Sequence, residues 1–180
     1  SNNNKILSKT QINKFIIRPI VQKITILLPV YNDWESLEIL IENIFKIYGS
    51  SNDTSINIIA VNDKSIQKPD YEKIKKNINI NFSIINLKRN LSSQRALAVG
   101  LCWISKNLDN DYVVIMDSDG EDRPDKIQDL LNNSDNKSII FAARAKRNEG
   151  FLFLTFYSIY KMIFRILTGK NINFGHFCLI

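Results

Sequence analysis

Cysteine and histidine are scarce in this chain of 180 residues: Cys102 and Cys178 are its two cysteines and His176 its one histidine. Two cysteines so far apart do not form a disulfide framework. Cys102 lies inside an apolar helical pattern and is expected in the core, so a reducing compartment is expected. No cysteine or histidine spacing suits zinc. No uncharged apolar run reaches the ~18 residues that a membrane-spanning helix needs, so none is expected within these residues. The opening Ser1-Asn-Asn-Asn-Lys5 is polar and lacks the apolar stretch of a secretory leader. There is no dense basic helix and no aromatic RNA-binding signature, which leaves nucleic acid out of the expected partners. Beyond the Asn-rich opening there is no low-complexity tract, and no internal repeat.

What is present fits one folded domain with a real core. The hydrophobic fraction is 44% and the formal net charge is +6, with the basic residues scattered. That charge suits an anionic ligand or an acidic membrane surface. Residues 1–22 read as an N-terminal tail and residues 23–180 as the domain. In the domain, strand-like and helix-like patterns alternate. Strands are expected at Ile24 to Leu28, Asn57 to Val61, Phe82 to Leu87, Tyr112 to Met116 and Ser138 to Ala143. Helices are expected at Trp34 to Tyr48, with Asp33 as N-cap and Gly49 as the stop, and at Ser92 to Lys106, with Ala96, Val99, Gly100, Trp103 and Ile104 on one side. A short helix or turn is expected over Tyr71 to Asn77, and a helix over Pro124 to Leu131. Such alternation means βαβ units and a mainly parallel sheet with helices on both faces.

In sheets of this kind, ligands bind beyond the carboxyl ends of the strands. The polar clusters fall at those ends: Tyr31-Asn-Asp33, Asn62-Asp-Lys-Ser65, Arg89-Asn90 and Asp117-Ser-Asp119. The last is the most informative. Two carboxylates leave the tip of a buried strand with one small residue between them. On an extended backbone they project the same way, and like charges that close repel. Mg²⁺ or Mn²⁺ would relieve that repulsion through hard oxygen ligands. The plain alternative is a solvated turn, which Asp, Ser and Gly120 all favour.

Together these residues resemble family 2 glycosyltransferases, inverting enzymes with the Rossmann-like GT-A fold, over about Ile24 to Ile180. Pro29-Val-Tyr-Asn-Asp33 matches the family's Pro-Val-Tyr-Asn-Glu, and Val61-Asn-Asp-Lys-Ser65 is similar to Val-Asp-Asp-Gly-Ser. Arg89-Asn90 with Ala96 and Gly100 resembles the Arg-Asn-x-Gly segment. Asp117-Ser-Asp-Gly-Glu-Asp-Arg-Pro124 resembles Asp-Ala-Asp-Leu-Gln-Asp-Pro-Pro of the branch that moves sugars onto polyprenyl phosphates. Phe174-Gly-His-Phe-Cys-Leu-Ile180 resembles that branch's Gly-Asn/Asp-Phe segment.

The resemblance implies a nucleotide-sugar donor with UDP or GDP, and a polyprenyl-phosphate or glycan acceptor. Pro29, Tyr31 and Asp33 would line the nucleotide pocket, and Asp63 would hydrogen-bond the base. Arg89 and Asn90 would sit near the nucleotide. Asp117 would face the ribose or the metal, with Ser118 beside the donor, and Asp119 would hold the metal against the diphosphate. Asn62 and Lys64 depart from the pattern where base selectivity is set. Arg123 stands where the family has Pro, to contact a phosphate or pair with Glu121 or Asp122. For a hydroxyl acceptor Asp122 is the candidate catalytic base, its alternative being the N-cap of the Pro124 helix.

Phe151 to Thr168 shows a narrow polar stripe, Thr155, Ser158, Lys161, Arg165 and Thr168, on an otherwise apolar helix. It reads either as a core helix or as an interfacial one, with Tyr157, Tyr160, Lys161 and Arg165 near headgroups. By resemblance this position approaches the membrane, and further chain is expected after Ile180. The expected location is cytoplasmic, at the inner face of the cytoplasmic membrane.

Overall fold

The computed structural model describes residues 21–70, 74, 81–135, 137–143, 151–169 and 174–180. The chain opens with β1 (Gln22–Val30) and α1 (Trp34–Tyr48), followed by β2 (Thr54–Asn62) and β3 (Asn81–Asn86). Next come α2 (Ser93–Asn107), β4 (Tyr112–Ile115), a 3-10 turn (Pro124–Lys126) and α3 (Ile127–Asn132). It ends with β5 (Ile140–Ala143), α4 (Phe151–Thr168) and β6 (Phe174–Leu179). The strands form one six-stranded sheet in the order β3-β2-β1-β4-β6-β5. β1 to β4 run parallel, and β6 enters antiparallel between β4 and β5. The expected strands and parallel core are present. β6 was not expected as a strand, because its Gly175 and His176 interrupt the apolar pattern. The short helix expected over Tyr71 to Asn77 lies, except for the buried Ile74, outside the described residues.

Alternation along the strands builds a core on each face of the sheet. Ile24, Ile26, Leu28, Ile58, Val114, Met116 and Leu179 pack with α1 and α3 through Leu37, Ile41, Ile44 and Ile127. Leu27, Ile59, Val61, Ile115 and Cys178 pack on the other face with Ala96, Leu97 and Ile104 of α2. Gly100 lets α2 approach this closely. A Cβ there would lie 2.5 Å from Leu27 Cδ1 and 2.9 Å from Val61 Cγ2.

Several helix-level expectations change. Cys102 is exposed rather than in the core, and Val99 is also exposed, because α2 turns only the Ala96, Leu97, Gly100 and Ile104 stripe to the sheet. The helix expected from Pro124 divides into the 3-10 turn and α3. Asp33 stands at the N-cap of α1 without a side-chain capping bond, its backbone carbonyl instead accepting from Leu37 N–H at 3.0 Å.

Candidate active site

The register places the expected polar clusters along one edge of the sheet. Val30 lies opposite Asn62, Asn62 opposite Asn86, and Leu27 opposite Ile115. β1, β2 and β3 therefore end at the same level, while β4 stops at Ile115, three residues short of the end of β1. The pairing runs one step further where Asp63 N–H donates to Val30 O at 2.9 Å and Leu87 N–H donates to Asn62 O at 3.0 Å.

The first two loops are tied together by Asn32, which the sequence reading did not single out. Asn32 has φ 65° and donates its N–H to Ser65 Oγ at 3.0 Å. Its side-chain oxygen accepts from Ile66 N–H at 2.8 Å and Gln67 N–H at 3.2 Å. Asn tolerates the left-handed region because its short amide bonds locally, and that is the signal sequence could have offered. Asn62 contributes by accepting Ser65 N–H at 2.8 Å while donating to Asn86 Oδ1 at 2.8 Å. Tyr31 and Asp33 flank Asn32 and are exposed, free to meet a ligand. Lys64, where the family pattern has Gly, takes φ 61° with an exposed side chain.

Asp63 is buried at 3% exposure, and its Oδ1 accepts Leu91 N–H at 2.6 Å. Its carbonyl accepts from Asn90 Nδ2 at 3.1 Å. The third strand-end loop, with Arg89 exposed in it, is thus held against the second.

Asp117, Ser118 and Asp119 lie beyond β4, which ends at Ile115. The backbone has left the strand and enters a turn, closed by Gly120 at φ 84°, so strand alternation does not set the two carboxylates' directions. Three side chains brace the loop. Ser118 is buried and donates from Oγ to Pro29 O at 2.9 Å. Asp122 Oδ2 accepts Asp117 N–H at 2.8 Å, and Asp119 Oδ1 accepts Glu121 N–H at 2.9 Å. Asp122 therefore does not cap the following turn, whose N-cap position is Arg123. Arg123 pairs with neither Glu121 nor Asp122. Its guanidinium grips Asp125 through Nε at 3.0 Å and a terminal nitrogen at 2.6 Å. That contact holds the Asp125 carboxyl below its ordinary range. The i to i+2 spacing makes it a local, solvent-screened pair.

Two features complete the surroundings. An open cleft of about 480 Å³ lies between α1 and this loop, lined by Ser36, Asn43 and Lys46 with Asp119, Asp122 and Pro124. On the other side His176 of β6 places Nδ1 at 3.4 Å from Asp117 Oδ2. Burial, with the nearby Asp122 charge adding to it, pushes the Cys178 thiol up to about 11. Among the described residues no cluster of three or more His, Cys, Asp or Glu stands ready to hold a metal.

A mainly parallel sheet with helices on both faces, an antiparallel strand beside its central strands and polar loops gathered at the strand tips define an α/β domain of the kind that binds ligands beyond the carboxyl ends of its strands. Residues 25–179 match the family described as Glycosyl transferase family 2, and the chain belongs to that family. No curated protein matches it. Solved structures with the same fold include the mannosyltransferase PcManGT from Pyrobaculum calidifontis in complex with GDP-Man and Mn²⁺. The TM-score is 0.57 and the identity 14%, over 78% of this chain and 39% of that one. Glucosyl-3-phosphoglycerate synthase from Mycobacterium tuberculosis in complex with UDP gives 0.57 and 16%, over 88% of this chain and 56% of that one. TarS 1-349 from S. aureus in complex with UDP-GlcNAc gives 0.53 and 17%, over 72% of this chain and 36% of that one. The fold is the GT-A arrangement expected from sequence, and the chain spans between about a third and a little over half of these relatives' lengths.

Proposed function

We propose that this chain is the donor-binding domain of an inverting glycosyltransferase that moves a sugar from a UDP- or GDP-sugar to a polyprenyl phosphate. The observation that carries the reading is the convergence of Asp63, Asp117 and Asp119 at one sheet edge in a chain of this family. The relatives bound to GDP-Man, UDP-GlcNAc and UDP support the donor class. In this reading Tyr31 and Asp33 line the nucleotide pocket with Pro29, Arg89 and Asn90 lie near the nucleotide, and Asp63 meets the base.

The donor set suits Mg²⁺ or Mn²⁺. Such an ion commonly takes one or two carboxylates and completes its shell with water and phosphate oxygens, so Asp117 and Asp119 suffice without a larger cluster. Asp119 would hold it against the diphosphate, and Asp117 would face it or the ribose. When bound, the ion offsets the charge that builds on the departing nucleoside diphosphate. The protein's own part is positioning. Ser118 anchors the loop to Pro29 O, and Asp122 braces Asp117 by its backbone.

The same bonds are compatible with the proposed acceptor. A polyprenyl phosphate is already anionic and requires no carboxylate base, which agrees with the engagement of Asp122 in the loop. A sugar hydroxyl would require that base, and Asp122 is then the group to supply it. α4 points toward a membrane. Phe156, Ile159, Met162, Ile163, Ile166 and Leu167 are exposed, on more than one side of the helix, and the helix carries no Asp or Glu while Arg165 is exposed in its last turn. These side chains favour the interfacial reading of α4 over a core-packed one; Tyr160 is exposed as well, and the Tyr157 and Lys161 side chains lie outside the described residues. No helix among the described residues is long and apolar enough to cross a membrane. A peripheral seat on an anionic surface fits this pattern, and in this reading that surface is the inner face of the cytoplasmic membrane.

The test is transfer by the full-length protein. Labelled UDP- and GDP-sugars are offered with a polyprenyl phosphate in vesicles, or with a soluble glycan. A lipid-linked product is expected. Product on the glycan alone would replace the acceptor, and binding with neither transfer nor hydrolysis would make this a non-catalytic nucleotide-sugar domain.

A further inference from the structure

β6 pairs antiparallel with β4, with Val114 opposite Leu179 and Ile115 opposite Cys178. His176 stands two residues before Cys178 on the same strand and so shares its face, the one that packs against α2. Gln94, in the first turn of α2, reaches down onto it and sets Nε2 at 2.5 Å from His176 Nε2. His176 Nδ1 then faces Asp117 Oδ2 at 3.4 Å, with side-chain exposures of 44% and 25%. Three residues from three separate elements make one line: α2, β6 and the loop after β4. An amide nitrogen only donates, so in this amide orientation His176 Nε2 accepts and its proton resides on Nδ1, aimed at the carboxylate.

We propose that His176 is the positioning residue for Asp117, with Gln94 holding its ring by the far nitrogen. The proposal rests on the reading of Asp117 as a carboxylate of the metal–nucleotide site. A carboxylate at the end of a turn swings freely about its side-chain bonds. A donor fixed on the neighbouring strand selects one orientation before the ligand arrives. Groups that orient a metal-binding residue in this way are typically worth about 10- to 100-fold in metal affinity. The line also leaves no free nitrogen on the imidazole, which separates this role from that of a base toward the acceptor.

The experiment measures Mn²⁺ affinity by the loss of the free-ion EPR signal, with UDP and with GDP present, on the full chain. Thermal melting of each variant is recorded alongside. His176→Leu and Gln94→Leu are expected to weaken Mn²⁺ binding by about 10-fold or more with near wild-type melting. His176→Asn, whose amide N–H replaces the ring Nδ1–H, is expected to keep affinity within about 3-fold of wild type. Asp117→Asn is the control for the underlying reading. If Asp117→Asn loses affinity while His176→Leu and Gln94→Leu do not, the positioning role is wrong. If His176→Asn fails as fully as His176→Leu while Gln94→Leu binds normally, the ring is a direct ligand and the proposal is overturned. If Asp117→Asn binds as wild type, the metal–nucleotide reading of Asp117 itself falls. Should His176→Leu fail to fold, the pair Gln94→Leu and His176→Asn carries the decision.

Discussion

Asp119 and Asp63 differ in what they offer a ligand. Asp119 is exposed at the tip of its turn, with Oδ1 committed to Glu121 N–H. Asp63 is buried and committed through Oδ1 to Leu91 N–H. Asp119→Asn is therefore expected to abolish Mn²⁺-dependent nucleotide binding with little change in the melting of the ligand-free protein; calorimetric titration with UDP and GDP checks it, and unchanged affinity would refute the metal role. The two cysteines give a second residue-scale prediction. Cys178 is buried with its thiol pushed up to about 11, whereas Cys102 is exposed. The thiolate is the reactive form. At pH 8 a disulfide reagent is expected to modify one thiol per chain quickly, at Cys102, and the second only on denaturation. Fast modification of both would place Cys178 outside the core.

At the scale of elements, α2 and α4 make opposite demands on their faces. α2 seats against β1 and β2 through Gly100, where a Cβ would meet Leu27 at 2.5 Å. Gly100→Ala gains helix propensity but overpacks the contact, and overpacking of this kind costs about 1–3 kcal/mol. Urea unfolding is expected to show a net loss, and a gain would mean that α2 moves away from the sheet easily. α4 leaves Ile163 and Ile166 exposed. Flotation with anionic vesicles at low salt is expected to carry the protein upward. Ile163→Glu combined with Ile166→Glu is expected to leave it at the bottom of the gradient. Equal flotation of both proteins would remove α4 from the membrane contact. Helical spacing identified α4 as amphipathic but left open whether it packs in the core; only the folded protein showed its described side chains to be largely exposed.

For the whole molecule, the four parallel strands present their ends as one surface, so a nucleotide that binds there links several loops at once. A ligand that binds only the folded state at 100 times its dissociation constant stabilises by about 2.7 kcal/mol. For a domain of this size that is roughly 5 °C or more in melting temperature. A panel of UDP, GDP, CDP and ADP, each with and without Mn²⁺, is expected to show one such rise that requires both nucleotide and metal. A flat panel would mean that the departures at Asn62 and Lys64 have removed donor binding, and would shift weight to a non-catalytic reading.

The parallel core was legible because strand–helix alternation and apolar runs are local signals, and the strand-end clusters were legible because connectivity alone puts them on one edge. Asp117 and Asp119 were marked on that basis and by their spacing, and Asp63 through the family resemblance. What sequence did not reveal depends on contacts between distant residues. Arg123 turns to Asp125 because that carboxylate is nearest in the turn. Asp122 is drawn to the Asp117 backbone by the fold of the loop. Asn32 joins loops 33 residues apart. The placement of β6 between β4 and β5, which brings His176 to Asp117, follows from sheet pairing across 59 residues of chain. By itself, then, the amino-acid sequence determined the parallel strands, the helices between them, their order and which polar residues stand at each strand end, since those follow from local periodicity and connectivity. Which of those groups face one another, and which are already committed to bonds, only the tertiary structure decided, because hydrogen-bond partners are chosen by proximity in space.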